Sequence, residues 1–248
     1  SEHQQITYPN LVRLSEESDM IYLFWRGDDW KPNWARSRDV GETWEPLGTV
    51  TSRPGAEGTN RPYVKIASNG RDTIHIAFTD GHPRNEPENS IYYARYREGH
   101  FERADGLRIA AVDALPFDPA LTDQVYGGVT QGRAWIWDIA DGQDGHPRIV
   151  FTRHPEETDH RYMFARWTGT EWFVTELCAG GRWFPETPEG REEREPHYSG
   201  GIVLDHSDPN VVYLSREQNG GFNIERWTTL DGGETWRSES IASDSGVL

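Results

Sequence analysis

Cysteine is almost missing from this sequence. Cys178 stands alone, so no internal disulfide can staple the chain. Lysine is nearly missing too: of 25 basic residues only Lys31 and Lys65 are lysines, and the rest are arginines. An Arg-rich, Lys-poor balance follows from base composition as readily as from function, but arginine is the residue that grips carboxylates through two parallel hydrogen bonds. No apolar run is long enough for a membrane-spanning helix, and the opening residues lack the apolar core of a signal peptide. No amphipathic stretch is long enough to predict a helix. Positive charge is scarce against 41 acidic residues; the net charge of −16 repels nucleic acid and anionic membranes, so neither is an expected partner.

Aromatics and turn formers are abundant: 11 Trp, 10 Tyr and 9 Phe, with 25 Gly and 15 Pro. That mixture predicts short strands joined by punctuated loops. The length, 248 residues, suits one large all-β domain.

Two segments repeat a motif. SRDVGETW (37–44) and TLDGGETW (229–236) share Ser/Thr-x-Asp-x-Gly-x-Thr-Trp. Asp can accept backbone N–H bonds across a tight turn, and Gly41 or Gly233 can take positive φ. Trp44 or Trp236 can then pack beneath the turn. This is an Asp box, and Asp39 and Asp231 are read as turn staples. ARYREGHF (94–101) and ARWTGTEW (165–172) are degenerate copies. The units open on TYPNLVRL, RPYVKIAS, VYGGVTQG and HYSGGIVL, with spacings of 53, 65 and 71 residues measured from Tyr8, Arg61, Tyr126 and His197. The pattern predicts four units of four antiparallel strands, at about 1–56, 57–120, 121–190 and 191–248. In the first unit the strands are expected near 7–14, 20–26, 33–38 and 44–51. Four-stranded units joined by Asp-box turns predict a β-propeller. Four blades either close as a small ring or belong to a larger propeller; the long blades favour the larger one.

In such a blade the ends of second strands and the starts of first strands meet at one mouth. The second strands end in Arg26 and Asp28; Asp80 and His82; Arg153 and His154; Arg216 and Glu217. The first strands open with Asn10; Arg61 and Tyr63; Tyr126; His197 and Tyr198. Strand ends beside loops are often polar because they are wet. His, Tyr and Arg gathered at one mouth nevertheless form a usable acid–base set.

YPNLVRL, FWRG, RPYVK, IHIAFTDGHP with NSIYYARY, WIWDI, DHRYMFARW and HYSGGIVLDHSDPNVVYLSR together resemble the BNR-4 repeat proteins, a propeller group that includes ulvan lyases and related rhamnose–glucuronate lyases. The resemblance implies a seven-bladed propeller that cuts uronate polysaccharides by β-elimination. Elimination needs the C6 carboxylate neutralised, the C5 proton removed and the leaving glycosidic oxygen protonated. The resemblance assigns proton transfer to His82 and Tyr126 and the carboxylate to Arg153, with Arg148 the weaker alternative. It implies an acidic polysaccharide or oligosaccharide as partner, and a secreted or periplasmic location. Where those lyases place a further His, this chain has Arg61, too basic to be a general base but able to neutralise a carboxylate. His197 is the nearest replacement.

Further candidates for substrate binding are Arg26, Tyr63, His154, His160, Arg161, Tyr198 and Arg216. Similar lyases carry structural zinc, to which Cys178 with His154 or His160 could contribute. Paired Cys-x-x-Cys or His-x-x-x-His spacing is missing, so no metal or cofactor is expected. His75 lies within a strand pattern and His206 in a turn. Trp30, Trp34 and Trp183 are placed in loops, for sugar stacking or for the core. Two other functions compete: a sialidase-type glycoside hydrolase, and a non-catalytic glycan- or protein-binding propeller.

Overall fold

The computed structural model describes residues 6–56, 58–186, 190, 201–218 and 221–243, and of residue 28 the backbone alone. His197 and Tyr198 lie outside the described residues.

The described residues are all-β, arranged in four antiparallel sheets. The first runs β1 (Thr7–Leu14), β2 (Met20–Arg26), β3 (Pro32–Ser37), β4 (Glu45–Thr49). The second contains β5 (Val64–Ser68), β6 (Thr73–Thr79), β7 (Ile91–Arg97), β8 (His100–Glu102), β9 (Arg108–Ala111) and β10 (Asp123–Tyr126). The third is β11 (Arg133–Asp141), β12 (Pro147–Glu156), β13 (Asp159–Trp167), β14 (Trp172–Gly181). The fourth is β15 (Ile202–Leu204), β16 (Val211–Gln218), β17 (Gly221–Thr228), β18 (Arg237–Ser243). One helical turn, α1 (Gly128–Gln131), precedes the third sheet.

Period-two alternation explains the strands. In β2, Met20, Tyr22 and Phe24 point inward while their neighbours are half-buried. Along β6 every residue is buried, because apolar neighbours cover both faces. Three apolar clusters join the sheets in chain order. Tyr22, Phe24 and Trp34 meet Ile76, Phe78 and Phe101 between the first and second. Tyr93 and Tyr126 meet Ile136, Phe151 and Met163 between the second and third. Val150 and Phe164 meet Ile202 and Val212 between the third and fourth. Trp34 is therefore not a loop residue. It is fully buried on β3, stacked on Tyr22 at 5.6 Å and on Phe24 at 5.5 Å.

Polar latches cross the same interfaces. His75 places Nε2 2.9 Å from Asp141 and Nδ1 2.7 Å from the Tyr93 hydroxyl. His206 Nε2 lies 3.0 Å from Asp138, and that carboxylate raises the His206 pKa.

Both Asp boxes close as turns. Asp39 accepts the Thr43 N–H at 2.8 Å and the Thr43 hydroxyl at 2.6 Å, with Gly41 at φ 93°. Asp231 accepts the Thr235 N–H at 2.9 Å, with Gly233 at φ 102°. These bonds hold both carboxyls below the usual carboxylate range. Each box follows the strand end that pairs with the start of the neighbouring strand, Ile21 with Ser37 and Val211 with Thr228. The boxes thus lie at the opposite strand ends from Arg26 and Arg216.

The second sheet departs from the four-strand expectation. The outer edge of β7 is shared: β8 pairs with Arg95–Arg97 and β10 with Ile91–Tyr93. Tyr126 therefore ends an edge strand of the second sheet and does not open the third, whose first strand begins at Arg133. The aromatic-Gly-Gly string of VYGGVTQG imitates a unit opening, but its glycines lead into α1.

Candidate functional site

The turn after β6 is clamped from two sides. The Asp80 carboxylate accepts the Ser90 N–H at 2.8 Å and the Tyr92 hydroxyl at 3.1 Å, and pairs with Arg53. Asn89 exchanges two 2.9 Å bonds with the Gly81 backbone and donates to the Ala134 carbonyl at 2.6 Å. Asp80 and Asn89 are buried, so these bonds are shielded from water and fix the turn that presents His82. Sequence reasoning singled out Asp80 but missed Asn89; its position just before the aromatic strand of NSIYYARY was the available signal.

His82 sits among aromatic rings and arginines. Its ring lies 4.8 Å from Trp135 and 5.6 Å, edge-on, from Tyr63. Tyr63 also meets Trp135 at 5.6 Å. The Arg26 guanidinium covers Tyr63 at 4.3 Å and Trp30 at 4.8 Å. Burial, then the charges of Arg84 and Arg26, push the His82 pKa down to about 4. The imidazole is neutral near pH 7, in a cationic setting. Arg133, which sequence reasoning did not single out, donates to the Pro83 carbonyl at 3.0 Å and covers the Phe184 ring at 4.3 Å.

The aromatic floor continues onto the third sheet. Trp135 stacks on Trp183 at 6.1 Å. Trp183 meets His154 at 6.5 Å and His160 at 6.4 Å. The two imidazoles are 6.0 Å apart and buried, at 1% and 3% exposure. Burial drives the His154 pKa down to about 3 and that of His160 to about 4. Among the described residues, Nδ1 of His154 and both ring nitrogens of His160 have no hydrogen-bond partner.

The three residues assigned to catalysis separate into two groups. Cross-strand partners share a face. The register pairs Trp135 with Thr152, and Ala134 with Arg153. Trp135, Thr152 and His154 therefore share one face of the third sheet; Arg153, Phe151 and Ile136 share the other. Tyr126 belongs to the second group. Its ring packs on Phe151 at 5.1 Å, and Arg153 lies beside its hydroxyl. That hydroxyl donates to the carbonyls of Gln131 at 2.9 Å and Gly132 at 2.8 Å, and burial raises its pKa. The Arg153 guanidinium donates to Glu176 at 2.8 Å. His82 makes its ring contacts with Tyr63 and Trp135.

The remaining candidates divide as well. Arg26, Tyr63, His154 and His160 line the aromatic floor. Arg61 is exposed at the opening of the second sheet. Arg161 is bound to Asp159 through two nitrogens at 2.6 and 2.9 Å, and reaches Glu176 at 3.1 Å. Arg216 is paired with Glu225 at 3.0 Å. Carboxylates from the chain thus already engage Arg161 and Arg216.

A metal is poorly served. His154 and His160 come together, but zinc needs about four ligands. Cys178, whose thiol is pushed up to about 11 by burial, has Arg216, Glu225 and Glu176 as charged neighbours. Among the described residues no group of three or more His, Cys, Asp or Glu is placed to hold a metal.

Comparison with known proteins completes the picture. A model described as BNR repeat-containing family member matches residues 1–179. No curated protein matches the chain significantly. Among solved structures, a polysaccharide lyase, a PL25 ulvan lyase, aligns with TM-score 0.65 at 16% identity, over 96% of this chain and 56% of its own. A second structure of that kind is bound to -[GlcA(1-4)Rha3S]-. A Hadza microbial sialidase aligns with TM-score 0.58 at 14% identity, over 94% of this chain and 46% of its own. Trypanosoma rangeli sialidase aligns with TM-score 0.58 at 9% identity, over 95% and 38%. The chain therefore spans about half the length of the ulvan lyase it matches. At these identities the likeness is one of fold.

Proposed function

The chain belongs to the BNR repeat-containing family, and we propose that it acts on a uronate-containing glycan, cleaving it by β-elimination as a polysaccharide lyase does. The observation that carries this reading is the setting of His82: an imidazole between Tyr63 and Trp135, kept neutral by burial and by the nearby Arg84 and Arg26, which together depress its pKa to about 4. Aromatic faces suit the C–H faces of a sugar ring. Arginines suit its carboxylate.

In this reading the four sheets are successive blades of a β-propeller larger than the described part. Its support is apolar surface on the outer sheets: Tyr8 and Leu11 are exposed on the first, and Ile224 and Ile241 on the fourth. Arg26 and Arg84 neutralise the C6 carboxylate, with Arg61 assisting. Tyr63, reacting as its phenolate, takes the C5 proton, in place of Tyr126, because it is the tyrosine that touches His82. The C5–H electron pair becomes the C4=C5 double bond, the C4–O4 bond breaks, and the Tyr63 hydroxyl so formed gives its proton to O4. Nε2–H of His82 keeps its proton and hydrogen-bonds the oxygen that gains charge. A secreted or periplasmic location matches such a substrate.

One observation favours a second reading, a non-catalytic glycan-binding propeller. The Tyr126 hydroxyl is occupied by backbone carbonyls. The same fact weakens a sialidase-type hydrolase, which needs a tyrosine beside a carboxylate. A product assay on uronate oligosaccharides separates the three. Elimination creates an unsaturated uronate that absorbs in the near ultraviolet, hydrolysis yields shorter chains without that absorbance, and a binder leaves the glycan intact.

A further inference from the structure

Between the third and fourth sheets, on the side of His160, lies a pocket of about 620 Å³. That is within the size range of small-ligand sites. Among the described residues its walls include Glu157, Glu186 and Glu217, one arginine, Arg182, and the rings of Trp183 and Phe222. We propose that this pocket is a second sugar subsite, one that takes an uncharged sugar residue and rejects a sulfated one. The proposal rests on the reading of the His82 rim as a uronate site and extends it to the neighbouring sugar.

Four observations support it. First, the pocket adjoins the rim. Trp183 forms part of its wall and stacks on Trp135, the ring that His82 touches. The stacked rings, 7% and 9% exposed, join the rim to the pocket wall, so a sugar bound at the rim has its neighbour on the Trp183 side.

Second, the polar lining is unsatisfied. His160 lines the pocket at 3% exposure, and neither ring nitrogen has a partner among the described residues. A buried polar group in that state is disfavoured until something bonds to it. Sugar hydroxyls both donate and accept, so they suit a neutral imidazole. Gly180 makes room for the ring: a Cβ there would fall 2.0 Å from Nε2.

Third, the charge changes sign along the floor. Arg26, Arg84 and Arg133 surround the His82 end, whereas among the described residues Glu186 and Glu217 face Arg182 at the pocket, and Glu157 is paired with Arg133. A sulfate there meets like charges in a partly desolvated space, while an uncharged sugar accepts or donates hydrogen bonds to the same carboxylates.

Fourth, Arg133 stands at the boundary. One terminal nitrogen donates to the Pro83 carbonyl at 3.0 Å, the other pairs with Glu157 at 3.1 Å, and the guanidinium covers Phe184. It ties the turn that carries His82 to the wall of the pocket, fixing the spacing between the two subsites.

The experiment compares three probes by calorimetric titration: an oligosaccharide of alternating glucuronate and unsulfated rhamnose, its 3-sulfated counterpart, and an uncharged rhamnose oligosaccharide. The unsulfated uronate chain is expected to bind at least roughly tenfold more tightly than the sulfated one. The double variant Glu186→Gln, Glu217→Gln should narrow that gap to about threefold or less, and Trp183→Ala should weaken both. Equal affinity for the two uronate chains, or a gap that the double variant leaves untouched, overturns the subsite and leaves the uronate reading standing. If neither uronate chain binds but the uncharged one does, and Trp183→Ala removes that binding, the subsite stands and the uronate reading falls. If nothing binds, both fall.

Discussion

The backbone N–H of Arg84 donates to Nδ1 of His82 across 3.2 Å. A nitrogen that accepts a hydrogen bond offers its lone pair, so the proton of the neutral ring sits on Nε2. Protonating Nδ1 would set two N–H groups against each other, in line with a pKa held down to about 4. The proposed chemistry uses the neutral ring. Activity limited by His82 should therefore stay level as pH falls through about 6.5, the ordinary histidine value, and decline only on approach to about 4. A pH–rate profile checks this; an acid limb centred at the ordinary value would assign that limb to another group.

The two tyrosines should separate cleanly. Tyr63→Phe removes a proton-transfer group in the proposed mechanism, so turnover should fall by roughly 10²–10⁴-fold with little change in Tm. Tyr126→Phe deletes the donor that satisfies the Gln131 and Gly132 carbonyls. It should destabilise the fold by about 1–3 kcal/mol and leave the turnover of folded protein near normal. Parallel measurement of kcat and chemical unfolding tests both. Turnover lost in Tyr126→Phe but kept in Tyr63→Phe would restore the tyrosine expected from sequence.

Much of the fold was legible because local signals agreed. In the first sheet, period-two alternation and the Asp box predict strands near 7–14, 20–26, 33–38 and 44–51; those found are Thr7–Leu14, Met20–Arg26, Pro32–Ser37 and Glu45–Thr49. His82 was visible as a titratable residue in a Gly-Pro turn at a strand end. Tyr63 and Arg26 were visible at the same mouth, but Trp135 was not. Trp135 reaches His82 from another sheet, and the register that turns Trp135 away from Arg153 is set by strand pairing rather than by any local motif. Tyr126 misled for the opposite reason: its Gly-Gly context repeats a real signal, but the edge of β7 that captures it is invisible in sequence.

Asn89 is a positioning residue, and its removal should show it. Asn89→Ala leaves the Gly81 N–H, the Gly81 carbonyl and the Ala134 carbonyl without this partner in a buried place. A loss of about 3 kcal/mol is expected, from unmet buried groups at about 1–3 kcal/mol each. The turn also loosens, so kcat should drop more than KM changes in the fraction that stays folded, with the pH–rate profile shifting as Arg84 and His82 lose their alignment. A purely structural role would lower Tm and leave that profile unchanged.

The buried pair His154 and His160 predicts how the fold responds to acid. Both rings are held neutral, with pKa values near 3 and 4. In the unfolded chain they titrate near 6.5. Between those values the unfolded state binds more protons than the folded state, so the stability of the fold rises with pH across the window and is lost as pH falls through it. A tenfold difference in proton affinity between the two states is worth about 1.4 kcal/mol, so the pair together withdraws several kcal/mol by about pH 4. His206 has the opposite sign: its raised pKa contributes stability below its unfolded value, lost as pH rises through the folded one. Unfolding in urea at pH 7, 5.5 and 4.5 should give falling midpoints, and His160→Phe should flatten the fall by about a third, because His82, also held down to about 4, contributes alongside the pair. A midpoint independent of pH over that range would mean that water or a ligand already satisfies the two rings.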